Sequence, residues 1–221
     1  MKIAVIGERE NFEELQAKLG AHHQYTFFSD IDPSGFEYLQ EQDVIFHFTI
    51  DENGDHMELL NEIDDVPIFL NTVKVTLAEL FFTYGKPKVS TFGFNGLPGF
   101  FDRDLLEVTA PGHGAQLETV LSELKVDFLT CDDRVGMVTP RVIMMIINEA
   151  YYTVQEGTAS REDIDLGMKL GTNYPYGPFE WVDRVGIHHV YEVLEALYED
   201  TKDERYKICP LLKKKYMQYR T

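Results

Sequence analysis

Residues 136–186 read GMVTPRVIMMIINEAYYTVQEGTASREDIDLGMKLGTNYPYGPFEWVDRVG, and this stretch decides how the rest of the chain is read. Thr139 and Pro140 stand at the head of an apolar run. A threonine side chain accepts from a first-turn N–H, and a proline at the first helical position removes a donor that would have been unpaired there. The pair predicts a helix starting at Pro140 with Thr139 as its N-cap. Val142, Ile143, Met145, Ile146, Ile147, Ala150 and Val154 cover more of it than one amphipathic face, so burial on most sides, in part at a subunit interface, is expected. Gly157 ends that helix. Ser160 and Asp163, spaced like a capping box, open a second one through Ile164, Met168 and Leu170, which Gly171 is expected to stop. The run NYPYGPFEW, from Asn173 to Trp181, follows as a proline-pinned turn with aromatic anchors.

Towards the N-terminus the pattern changes to short apolar runs alternating with helical faces. Lys2–Ile6 is a strand ending at Gly7. Asn11 with Glu14 gives a capping signal for a helix whose face is Phe12, Leu15 and Leu19, closed by Gly20. Tyr25–Phe28 is a second strand, finishing at Asp30. Strand, turn, helix, strand is the opening of a nucleotide-binding α/β domain. Further strands are read at Asp43–Thr49, Pro67–Asn71, Val89–Phe94, Leu105–Thr109 and Val126–Thr130, with helices at Glu58–Ile63 and Ala115–Leu124. This alternation predicts an α/β, Rossmann-like domain with a mostly parallel sheet over residues 1–132, followed by an all-α domain over residues 133–221.

Composition limits the function. The chain has 221 residues, a 44% hydrophobic content sufficient for a core, and a formal net charge of −18. Nucleic-acid binding needs basic surface, so a nucleic-acid partner is excluded as an expectation. A phosphate-bearing thioester such as an acyl-CoA would need a local basic patch, for which Lys213–Lys215 is the candidate, although such a run is usually a solvated helix face. Two distant cysteines, Cys131 and Cys209, fit a reducing compartment, and neither a secretory signal nor a membrane span is read, so a cytoplasmic setting is expected. The neighbouring pairs His22–His23 and His188–His189 lack the helical spacing of a metal site, and no metal is expected.

NEA at Asn148–Ala150, EGTAS at Glu156–Ser160, EDID at Glu162–Asp165, MKLG at Met168–Gly171, YPYGPFEWVDRVG at Tyr174–Gly186, VLEALYE at Val193–Glu199 and DERYKICPLLKK at Asp203–Lys214 together resemble the C-terminal domain of the L-3-hydroxyacyl-CoA dehydrogenase family. The resemblance is strong from Gly136 onward and weak before it. It implies NAD as cofactor, oxidation of a short 3-hydroxyacyl-CoA, and a homodimer formed through the C-terminal domain.

Carried over residue by residue, the resemblance makes Gly7 and Asp30 the cofactor-binding positions and Glu107 the orienting carboxylate of the catalytic pair. It also exposes departures. A dinucleotide turn keeps glycines at its first, third and sixth positions; here the window is Gly7-Glu8-Arg9-Glu10-Asn11-Phe12 and only the first is glycine. Glu8 and Glu10 bring negative charge to a helix N-terminus that should meet a diphosphate, with Arg9 as a partial offset. The segment between Asp30 and Asp43 is shortened. The histidine base of the family falls at Asn95 or Phe92, its serine at Val73, and its asparagine at Pro140. His47, near the end of the third strand, is the candidate replacement base, weighed against a hydrogen-bonded strand histidine; His113 reads as a loop residue. Two functions follow as expectations: an NAD-linked dehydrogenase, or a non-catalytic homologue acting as an acyl-CoA or small-molecule binding or structural dimer.

Overall fold

The computed structural model describes residues 1–101 and 103–219. The chain divides into two compact units, Met1–Met137 and Val138–Thr221.

The first unit is a seven-stranded sheet. Its strands are β1 (Lys2–Ile6), β2 (Gln24–Phe28), β3 (Val44–His47), β4 (Ile68–Asn71), β5 (Thr91–Phe94), β6 (Leu105–Thr109) and β7 (Asp127–Thr130), in the spatial order β2-β1-β3-β4-β5-β6-β7. Every neighbouring pair is parallel except β5 and β6. The helices are α1 (Arg9–Leu19), α2 (Phe36–Gln40), α3 (His56–Leu60), α4 (Leu77–Tyr84) and α5 (Gly114–Leu124). β3 and β4 are buried at every residue, as strands covered on both faces must be. Ile3, Val5, Phe46, Phe69 and Phe92 pack on one face with Leu15, Leu19, Leu117 and Leu121 of α1 and α5. Ala4, Ile6, Ile45, Ile68 and Leu70 pack on the other with Leu39, Met57, Leu60 and Leu77 of α2, α3 and α4. The chain goes from β1 to β2 on one side and then to β3 on the other. The C-terminal edge of β1 and β3 is therefore the switch point where open α/β sheets gather ligands.

Two local features differ from expectation. α1 begins at Arg9 with Glu8 as N-cap, and Asn11 lies inside the first turn, its Oδ1 accepting from Glu8 N–H at 2.9 Å. This is the return half of a capping box, in which the third helical residue reaches back to the N-cap. α4 had no counterpart in the sequence reading, although Thr76 and Glu79 form a full capping box: Thr76 Oγ1 accepts from Glu79 N–H at 3.1 Å and Glu79 Oε2 accepts from Thr76 N–H at 2.9 Å.

The second unit is all helical: α6 (Thr139–Gln155), α7 (Arg161–Thr172), α8 (Pro178–Val185), α9 (Ile187–Thr201) and α10 (Pro210–Tyr219). α6 starts one residue early, with Val138 as its N-cap and Thr139 already helical. Within the unit Ile143, Met144, Ile147 and Tyr151 are buried, while Val142 is 51% exposed. In α7, Ser160 is the N-cap as read, accepting from Asp163 N–H at 3.2 Å. The helix nevertheless passes Gly171 and stops at Asn173, whose φ of 56° is left-handed. Asparagine tolerates that conformation better than most residues, and its N–H closes the last turn on the Met168 carbonyl. The chain after α9 is stapled to α6: Asn148 donates to the Lys207 carbonyl and accepts from Cys209 N–H, both at 2.9 Å. α10 lies on α9 with Tyr216 stacked on Tyr191 at 4.0 Å.

Candidate functional site

The C-terminal edge of β1, β2 and β3 brings Gly7, Asp30 and His47 together. Gly7 has φ +151°, and a Cβ built there would lie 2.9 Å from Cβ of Phe48 and 3.0 Å from Oδ1 of Asn11. Only a residue without a side chain fits that corner. Phe48, the residue after β3, meets Phe94 edge-on at 5.1 Å and Phe101 at 5.5 Å, and all three rings are buried. Asn71, at the end of β4, ties this edge together by donating to the Phe48 carbonyl at 2.8 Å and accepting from Gly96 N–H at 3.1 Å.

Asp30 and His47 are joined through a residue the sequence reading did not single out. His56, the first residue of α3, places Nε2 2.9 Å from Asp30 Oδ1 and Nδ1 2.9 Å from His47 Nε2. The carboxylate fixes the proton on His56 Nε2, so in the neutral pair His47 Nε2–H donates to His56 Nδ1. His47 is wholly buried, and its Nδ1 has no partner among the described residues. Burial, and then the nearby His56, push its pKa down to about 3. No spacing rule links positions 30, 47 and 56; only the β2-β1-β3 order makes them neighbours.

Glu107 sits on β6, and its backbone carbonyl accepts from Asn95 N–H at 3.0 Å. Its side chain is on the face opposite Leu106 and Val108, and it is 7% exposed. It lies close enough to Cys131 to help raise that thiol to about 11, after the larger effect of burial. β4 and β5 lie between β3 and β6, so at ~4.8 Å per strand spacing His47 and Glu107 are separated by about 14 Å across the sheet. They do not form a pair.

Residues 136–220 match the family described as 3-hydroxyacyl-CoA dehydrogenase, C-terminal domain. The 3-hydroxyadipyl-CoA dehydrogenase of Escherichia coli (strain K12) is 45% identical over 83 residues, 38% of this chain and 18% of that protein. The 3-hydroxybutyryl-CoA dehydrogenase of Clostridioides difficile is 28% identical over 196 residues, 82% of this chain and 68% of the relative. The crystal structure of (S)-3-hydroxybutyryl-CoA dehydrogenase from Ralstonia eutropha superposes with a TM-score of 0.76 at 20% identity, covering 99% of this chain and 94% of that one. Over residues 136–220 the chain carries a 3-hydroxyacyl-CoA dehydrogenase C-terminal domain. The stretch shared with the Escherichia coli relative is less than a fifth of that protein's length.

The sheet order is that of a doubly wound fold, whose ligands gather at the C-terminal edge, so the fit of a dinucleotide can be judged from the residues present. The first-turn donor of Glu8 is already taken by Asn11. Arg9 pairs through Nε with Glu13 at 3.1 Å, and its guanidinium lies over Phe12 at 4.9 Å. Phe12, at the third glycine position, packs on Phe27 of β2 at 5.5 Å, away from the turn. Asp30 Oδ1 accepts from Ile31 N–H at 2.9 Å besides meeting His56. Met1–Met137 holds 25 Asp and Glu against 9 Lys and Arg, a net of −16 within the chain's −18. A diphosphate in the usual pose does not fit this edge.

Of the two positions at which the family's histidine falls, Phe92 is a fully buried core ring, and Asn95 is buried with Oδ1 accepting from Leu97 N–H. Val73 is fully buried, and next to it Lys74 forms an ion pair with Asp51 at 2.8 Å, both side chains nearly buried. Among the described residues no group of three or more His, Cys, Asp or Glu is arranged to hold a metal, and no helix is long and apolar enough to cross a membrane.

Proposed function

We propose that this protein is a 3-hydroxyacyl-CoA dehydrogenase homologue that forms a homodimer through its helical unit and does not carry out NAD-linked oxidation of a 3-hydroxyacyl-CoA. The observation that carries this reading is the state of the acid–base pair. The hydroxyl proton needs an accessible acceptor near neutral pH. Asn95 and Phe92 offer none, and His47 is sealed, hydrogen-bonded to His56 and held near 3. The dimer is supported by apolar residues left open on α6 and α7, with Val142, Leu166 and Leu170 at 51%, 53% and 78% exposure.

The test is reduction of acetoacetyl-CoA by NADH in the purified protein. No substrate-dependent consumption above the blank is expected, and His47→Ala should leave that result unchanged. Steady turnover would overturn the proposal. Mass in solution should be that of a dimer; a monomer would remove the dimer from the reading.

A second reading is NAD-linked oxidation of a short 3-hydroxyacyl-CoA. Its support is the retained, buried Glu107 together with the similarity to two dehydrogenases of such substrates. A non-oxidising protein can still bind an acyl-CoA, with the exposed Lys213–Lys215 of α10 as a candidate phosphate contact. Thermal stabilisation by acetoacetyl-CoA without turnover would identify that case.

A further inference from the structure

We infer that the dinucleotide edge of the first unit is closed from within, by groups that have exchanged a cofactor's contacts for contacts with one another. This deepens the proposed loss of oxidation and shares its family assignment, but it concerns binding and is tested without turnover.

Three positions carry it. At the turn after β1, Gly7 is covered by Phe48 and Asn11, the nearest atoms to its missing side chain at 2.9 and 3.0 Å. At the head of α1, the Glu8 N–H that would point at an anion donates to Asn11 Oδ1. At the end of β2, the Asp30 carboxylate, placed for a ribose hydroxyl, instead holds His56, which holds His47. That last chain of bonds pins both ends of the β3–α3 loop, since His47 ends β3 and His56 opens α3. Phe48 is the first residue of that loop, so the latch keeps its Cβ against the corner.

The loop between β5 and β6 completes the closure. Phe101 packs on Phe48 and Phe94 at 5.5 and 5.9 Å. Its backbone is strapped to α1: Gly99 N–H donates to both carboxylate oxygens of Glu14 at 2.9 and 3.1 Å, and Lys18 Nζ donates to the Arg103 carbonyl at 2.5 Å. The three rings meet edge-on or tilted and are buried in the core layer shared with α1 and α5, which fixes Phe48 in place. Restoring the missing glycines alone would leave Asn11 and Phe48 beside Gly7.

The experiment is an NADH fluorescence titration of four proteins: the wild type, Arg9→Gly, Asn11→Ala, and the double variant, each with its melting curve. Asn11→Ala removes the oxygen that both fills the corner beside Gly7 and occupies the Glu8 N–H. Wild type and Arg9→Gly should show no saturable binding, and the double variant should bind at least tenfold tighter than Arg9→Gly. Should Asn11→Ala fail to fold, Asn11→Ser takes its place, with a smaller gain in the same direction. Saturable micromolar binding by the wild type would overturn the inference while leaving the absence of turnover untouched. Binding by Arg9→Gly equal to that of the double variant, or no gain in the double variant, would also overturn it by removing the block from Asn11.

Discussion

The helical unit and the sheet unit have been held to different standards. Val138–Thr221 lies almost wholly within the stretch that matches the family's C-terminal domain, at 45% identity to the Escherichia coli relative over 83 residues, and carries a net charge of only −2 from 11 basic and 13 acidic residues. Met1–Met137 has the strand order and hydrophobic layers of a doubly wound sheet, and a net charge of −16. A sheet fold asks only for buried apolar strands and packed helices, and many sequences satisfy that. A cofactor edge asks for particular atoms left uncovered. The comparison therefore separates what a fold requires, present in both units, from what a cofactor edge requires of particular atoms.

The comparison breaks if the two units do not behave separately, and the largest effect expected bears on that. Phe94 is fully buried and lies against Phe46, Phe48 and Phe101 at 5.6, 5.1 and 5.9 Å. Phe94→Ala should cost about 3–5 kcal/mol through lost burial and the cavity left behind. The single tryptophan, Trp181, belongs to the helical unit, so its fluorescence follows that unit while far-UV circular dichroism follows both. In urea the dichroism transition should move to lower denaturant and the fluorescence transition should hold. Equal shifts would mean that the units unfold as one.

Acid sharpens the contrast next. In the unfolded chain His47 binds a proton near the ordinary histidine value of 6.5; in the fold, burial and then His56 hold it to about 3. Between those values the unfolded chain carries more protons, so the stability present above pH 6.5 is lost as pH falls toward 3, by up to about 1.4 kcal/mol per pH unit. His47→Asn should flatten the dependence of the dichroism midpoint between pH 7.5 and 5. An unchanged slope would mean that His47 is not the buried neutral group described above.

In the helical unit the matching test is Asn148→Ala. Its amide serves the Lys207 carbonyl and Cys209 N–H from a nearly buried position, so removing it strands two backbone groups at a cost of about 1–3 kcal/mol. The fluorescence transition should move this time. A loss seen only in dichroism would contradict the placement of this staple.

How much could be read in advance follows the same divide. The strands were legible because β1, β3 and β4 are short apolar runs bounded by Gly7, Asp43 and Asn71, and the helical unit because Ser160, Pro140 and Gly157 mark its ends. α4 carried a readable signal, Thr76 three residues before Glu79, that went unused. The ligand edge was legible only as a loss of glycines. That Phe48 would cover Gly7, or that Asp30 and His47 would meet through His56, depends on β3 lying beside β1, a non-local fact no local pattern contains. Glu107 stands out by a family motif and His47 by its place near a strand end, and neither signal says how far apart they lie. Their separation by two intervening strands comes from the sheet order alone.

The smallest effect gives the most even-handed comparison, because both units contain the same device. Thr76 Oγ1 accepts from Glu79 N–H at 3.1 Å at the head of α4, and Ser160 Oγ accepts from Asp163 N–H at 3.2 Å at the head of α7. Thr76 is buried and its partner reaches back to its N–H; Ser160 is exposed and α7 has no buried residue. An N-cap removed to alanine costs about 0.5–2 kcal/mol. Thr76→Ala should fall in the upper part of that range, because the bonds it leaves unmade are shielded from water, while at Ser160 water can replace the hydroxyl. Ser160→Ala should fall near the lower end and register in fluorescence. Equal costs would show that solvent reaches both caps alike, and the sheet unit's helices would then be no better sealed than the open face of α7.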